Sequence, residues 1–134
     1  MSLGFEDDKT ILDEELLYRR IPPDFYRMDA ESGVWRPISA AFADHQNGSP
    51  MSIVLGSELK ATGREPPSLI ANFPGYALVM VTAGFVRSLG LGIIRSPLVE
   101  EPAHAEIFGK KTDSVRRKLS RGSNWVVPPS AVQE

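Results

Sequence analysis

The sequence predicts an α+β fold: a single small domain built on a mainly antiparallel sheet with two or three helices. Three observations predict it. Short runs of apolar and β-favouring residues outnumber helical patterns. These runs do not alternate with helices in the regular way that βαβ units require. At 134 residues, with 42 % apolar and 24 % charged, the chain has the size and balance of one folded core. The domain is expected over 14–127, between an acidic disordered tail at 1–13 and a short C-terminal tail at 128–134.

Taken in order, LLYRRI at 16–21 predicts a strand stopped by Pro22-Pro23. DFYRMDAESGVW is turn-rich around Ser32-Gly33, and ISAAFAD predicts a second strand over 38–43. MSIVL at 51–55 predicts a third, and Asn47-Gly48 between the two is a hairpin signal that makes them antiparallel neighbours. SELKATGREPP reads as a surface loop leading to a short helix in PSLIANF, ended by Pro74-Gly75. Over 77–89 the spacing of Leu78, Thr82, Phe85 and Leu89 predicts a helix stopped at Arg87 and Gly90. Gly84 inside that helix costs about 1 kcal/mol relative to Ala, which implies close packing of another element against it. Strands follow at 91–95 and 103–108, joined by the Pro-flanked loop PLVEEP. A last helix is expected over 113–121, with Thr112 as N-cap, Asp113 in the first turn and Gly122 just past its end. Its Val115 and Leu119 form an apolar stripe, with Arg117, Lys118 and Arg121 facing away. Trp125 and the two valines after it fold back onto the core.

The chemistry available to the chain is bounded by what it lacks. Without cysteine it has no disulfide, no thiolate metal site and no Cys nucleophile. No apolar run approaches the roughly 18 residues needed to span a bilayer, and the acidic N-terminus is unlike a secretory signal, so a cytoplasmic setting away from membranes is expected. His45 and His104 are distant in sequence and the carboxylates are scattered, so no metal and no cofactor are expected.

The net charge of −2 conceals an asymmetry. Residues 1–16 carry a net −5, and residues 105–125, with Lys110, Lys111, Arg116, Arg117, Lys118 and Arg121, a net +4. A basic cluster of this kind suits a polyanion; it is also what a solvated helix face looks like. The segment FGKKT is not a phosphate-binding P-loop, because the position five before Gly109 is His104 and the residue after Lys110 is Lys111. A weaker anion site remains open at Gly109, Lys110, Lys111 and Thr112, ahead of a helix N-terminus, beside the simpler reading of ordinary capping. His104 and Glu106 lie two apart in a predicted strand and share a face, as an acid/base pair or a solvated polar edge would. Tyr18 and Arg20 share a face and Arg19 takes the other, so one guanidinium points inward, to meet a carboxylate or a phosphate. Ser39 and Ser52 stand on neighbouring predicted strands without a Gly-x-Ser-x-Gly elbow, so nucleophilic serine chemistry is not expected.

Three stretches, LYRRIPPDFYR, RPISAAFAD and EEPAHAEIFGKKT, resemble a group of short, mostly uncharacterised bacterial proteins over roughly 16–127, which implies a bacterial cytosolic setting. The order of Arg20, Ser52 and Glu106 is similar to that of ADP-ribosyltransferase-like toxins. His104 stands two residues before Glu106, where those toxins carry a Glu-x-Glu motif. Two functions are therefore expected in competition. One is a binding or accessory module that engages a protein or polyanion through Gly109, Lys110, Lys111, Thr112, Arg117 and Arg121. The other is a nucleotide-handling enzyme with Arg20 on phosphate, Ser52 positioning the substrate, and Glu106 with His104 as polar catalyst.

Overall fold

The computed structural model describes residues 5–129; the outermost parts of both expected tails, 1–4 and 130–134, lie outside the described residues. Eight strands and three helices follow in chain order: β1 (Leu16–Ile21), β2 (Tyr26–Met28), β3 (Trp35–Pro37), β4 (Met51–Leu55), α1 (Gly56–Ala61), β5 (Ala77–Thr82), α2 (Ala83–Ser88), β6 (Gly92–Arg95), β7 (His104–Phe108), α3 (Asp113–Gly122) and β8 (Asn124–Val127). Six of the strands form one antiparallel sheet in the order β6-β7-β4-β1-β5-β8, and β2 with β3 forms a separate hairpin. The molecule is thus a small, mainly antiparallel α+β domain.

Strand alternation divides the sheet into two faces. Leu17, Ile21, Met51, Ile53, Val79, Val81, Ile93 and Ile107 build the main core with Leu119 of α3, Val86 of α2 and Phe42. On the opposite face Tyr18, Val54 and Leu78 meet Leu59 of α1 and Leu69 in a smaller cluster. The hairpin closes the main core from the side: Tyr26 packs edge-on against Trp35 and Trp125, Trp125 Nε1 donates to Trp35 O (2.9 Å), and Ser120 Oγ donates to Pro37 O (2.6 Å).

Two expected elements differ. Residues 38–43 are not a strand: Ser39–Phe42 is a 3-10 turn that buries Ala41 and Phe42 on successive positions, a pattern without the period of two that a half-buried strand requires. It contacts α3, and the Asn47-Gly48 turn leads from it into β4. The expected helix over 77–89 is a strand to Thr82 and a helix only from Ala83. Ala77, Leu78, Val79 and Val81 are buried between β1 and β8 with both faces covered, so the strand has no polar side to reveal its period. Thr82 then caps α2, accepting from the Phe85 N–H (3.2 Å). The expected strand at 91–95 begins at Gly92, and that at 103–108 begins at His104. The hairpin, α1 and β8 are additions to the expected set.

The N-terminal segment also differs from a free tail. Ile11 is 1 % exposed within the main core, Asp8 N donates to Ile93 O (2.8 Å), and Asp7 accepts from Ile93 N (2.9 Å) and Arg87 Nε (3.0 Å). Residues 7 and 8 therefore satisfy the edge of β6, which gives an acidic segment a reason to be held.

Candidate active site

Strands β1 and β4 pair only at Leu17↔Leu55 and Tyr18↔Val54, whereas β1 pairs with β5 along its whole length. Past Tyr18 the ladder between β1 and β4 gives way to a side chain: Arg19 Nη1 donates to Ser52 O (2.6 Å) and Arg19 Nε to Ala41 O (2.7 Å). Burial lowers the Arg19 pKa to about 10, with Asp44 opposing the fall. Arg19 is the inward guanidinium expected of the Arg19-Arg20 pair, and backbone carbonyls are what it meets. The splayed strands leave a cavity of about 260 Å³ on the opposite face, lined by Arg20, Ser52, Phe73, Leu98, Glu101 and His104 among others.

Ser52 Oγ lies 3.0 Å from His104 Nε2 and 3.0 Å from His45 Nε2, so both histidines of the chain converge on one hydroxyl. The direction of these bonds follows from the far side of His104. Its Nδ1 lies 2.7 Å from Ser96 O, a carbonyl that can only accept, so Nδ1 carries the proton. Neutral His104 then has its lone pair on Nε2 and accepts from the Ser52 hydroxyl. Ser52 Oγ in turn accepts from His45 Nε2–H. β7 supplies His104 at the position paired with Val54, and a turn closed by His45 N→Ser49 O (3.0 Å) brings His45 back over β4.

Arg20 enters from β1. Its Nε donates to Leu69 O (2.5 Å), its guanidinium carbon lies 4.5 Å from the Phe73 ring centroid, and its Nη groups make no hydrogen bond among the described residues. Burial lowers the Arg20 pKa, while the charges of Glu101 and Tyr76 act the other way. The loop between β6 and β7 is anchored by Glu101, whose carboxylate takes a fork from Arg64 Nη1 (3.0 Å) and Nη2 (2.6 Å) and a bond from Ala103 N (3.2 Å). The Arg64 hydrogen bond holds Glu101 below the usual carboxylate range against the opposing effect of burial.

Comparison with protein-family models, curated proteins and solved structures gives no match. The site must therefore be judged by its own chemistry. A larger depression of about 410 Å³ runs beside α1 past Leu12, Tyr18, Ser57, Leu59 and Pro66 and also holds Glu14 and Glu15; Glu15 there accepts from the Ser57 N–H (2.7 Å), and among the described residues no hydrogen bond joins the Ser57 or Tyr18 hydroxyl to a base. Among the described residues no group of three or more His, Asp or Glu side chains could hold a metal ion.

Of the residues singled out in the sequence, Arg20, Ser52 and His104 share the cleft. Glu106 is opposite Ser52 in the β4–β7 register but does not line the cavity and makes no hydrogen bond or ion pair among the described residues. His45 carries no motif; only its being one of two histidines marks it in the sequence. The basic segment separates as well. Lys110, Arg117 and Arg121 are exposed, but the Lys111 side chain is 3 % exposed, bonded to Asp44 (2.7 Å) and Gly109 O (3.0 Å). Thr112 caps α3 by accepting from Val115 N (3.2 Å). Arg116 is taken up by Asp113.

Proposed function

We propose that the protein is an enzyme of the nucleotide-handling kind, which binds a small anionic ligand through Arg20 and carries its reacting polar groups on Ser52 and His104. The observation that supports this reading is the convergence of two imidazoles on Ser52 Oγ in a cleft that also presents open guanidinium donors. Phe73 and Leu98, both exposed at the cleft, offer apolar surface to a base or ring beside the anion. Thermal-shift measurements with adenine and nicotinamide nucleotides test it: a ligand at about 100 times its Kd should stabilise the fold by about 2.7 kcal/mol. The stabilisation should vanish in Arg20→Gln; the absence of any shift in the wild type would sink the reading.

A second reading is supported by the exposed cations Lys110, Arg117, Lys118 and Arg121, which suit a polyanion or an acidic protein partner. Lys111 is outside this set because Asp44 already neutralises it. Titration of short nucleic acids across a salt series should give affinity that falls steeply with salt; a flat, salt-independent response leaves only a protein partner. In either case we infer the bacterial cytoplasm as the setting, from the resemblance.

A further inference from the structure

We propose that Ser52 is a nucleophile activated by His104, and that the substrate is an ester-like acyl or phosphoryl compound whose transferred group passes through a covalent adduct on Ser52 Oγ. This rests on the cleft being a ligand site, and it goes further by assigning the bond that forms. A serine hydroxyl is a weak nucleophile unless a base within hydrogen-bond reach removes its proton, and the base needs a third group to hold its tautomer. All three parts are present: Ser52 Oγ, His104 Nε2 at 3.0 Å, and Ser96 O at 2.7 Å from His104 Nδ1. A backbone carbonyl takes the orienting place that a carboxylate holds in a Ser-His-Asp triad.

In the step, the Ser52 oxygen forms a bond to the electrophilic carbon or phosphorus while its proton moves to His104 Nε2. The bond to the leaving group then breaks, and the imidazolium returns that proton to the departing oxygen. Water, deprotonated by the same imidazole, releases the group from Ser52 by the reverse sequence. Arg20, on the same face, faces the negative charge that develops on the substrate. His45 is a positioning residue: its Nε2–H on Ser52 Oγ leaves the hydroxyl proton only one direction, toward His104.

The test is covalent labelling of the intact protein with diisopropyl fluorophosphate, read by mass spectrometry and peptide mapping. Oγ–P forms, P–F breaks, fluoride leaves and the hydroxyl proton goes to His104. One adduct on Ser52 is expected, slowed at least about 100-fold by His104→Gln, the size of a lost general base. His45→Gln should slow it less, and Ser52→Ala should abolish it. Because the chain has no cysteine, Ser52→Cys creates a single thiol. Iodoacetamide should alkylate it faster than the same thiol in a His104→Gln background, with circular dichroism confirming that each variant is folded. An unlabelled Ser52 in folded protein, labelling spread over several hydroxyls, or a Ser52→Cys thiol indifferent to His104 overturns the proposal. Nucleotide-induced stabilisation without labelling would remove the nucleophile and keep the ligand cleft. Labelling without any nucleotide shift would do the opposite.

Discussion

Arg19 and Arg20 are adjacent and chemically identical, yet strand alternation gives them separate work. Arg19 replaces a missing ladder bond at Ser52 O and also donates to Ala41 O of the 3-10 turn, and Arg20 keeps its Nη donors open in the cleft. Arg19→Met should cost about 2–4 kcal/mol in urea unfolding, because two carbonyls lose their donor at once and each unpaired buried acceptor costs about 1–3 kcal/mol. A variant as stable as wild type would show that water reaches these carbonyls. Glu101 makes a pH prediction. Its folded pKa lies below that of the unfolded chain, about 4.3 for a free Glu. The unfolded state therefore takes up more protons as pH falls, and the contribution of Glu101 is complete above about pH 5 and lost as pH drops through the folded value. Glu101→Gln should be less stable than wild type at pH 7, and the gap should narrow as pH falls below about 4.3, the value of a free Glu, in parallel denaturation series. Constant separation across that range would mean that the carboxylate charge contributes nothing.

At the scale of elements, α3 was readable because its signals are local. Thr112 caps it, Val115 and Leu119 face the core, and its basic residues are wet except Arg116, which Asp113 claims. Its C-terminal glycine has a different reason from the expected one. Gly122 is the last helical residue with an extended Ser123 after it, and a Cβ there would stand 2.3 Å from the Phe85 ring. Gly122→Ala should therefore lower stability by about 1 kcal/mol, since overpacking costs about 1–3 kcal/mol against a propensity gain of about 1 kcal/mol. A thermal melt showing Gly122→Ala more stable than wild type would mean that Phe85 swings away freely. Gly84 does mark a close approach, since a Cβ there would stand 3.1 Å from Asp13 Cβ, although the helix holding it begins six residues later than the periodicity of 77–89 predicts.

At the scale of the molecule, no ion pair among the described residues joins its two oppositely charged ends. Asp7 and Asp13 bind Arg87, and Asp8 and Glu58 bind Arg95, so the acidic N-terminal segment is held along β6 and α2 rather than by the basic helix. Burial pushes the Asp7 carboxyl up, but the Ile93 N–H, Lys9 and Arg87 outweigh it and hold it below the usual range. Ile11 anchors the segment in the main core, and Ile11→Ala should cost about 3 kcal/mol, within the 2–5 kcal/mol typical of such truncations. Equilibrium unfolding unchanged by that substitution would return residues 5–13 to the status of a tail.

Strands β1, β4, β6 and β7 and helix α3 were legible in the sequence because alternation, proline stops and caps act between residues a few positions apart. The shared face of Tyr18 and Arg20 and the absence of cysteine chemistry follow from the sequence in the same way. The identity of β5 did not follow: ALVMV is equally a helix stripe or a fully buried strand until its neighbours on both sides are known. Nor did the partner of Ser52. Glu106 stands directly across the ladder, but the diagonal His104, 52 residues away, reaches the hydroxyl, and His45 arrives by a turn seven residues before it. Pairing between strands distant in the chain is decided by the sum of core contacts, and no local period encodes that sum, so the tertiary structure alone brought His45 and His104 to one serine.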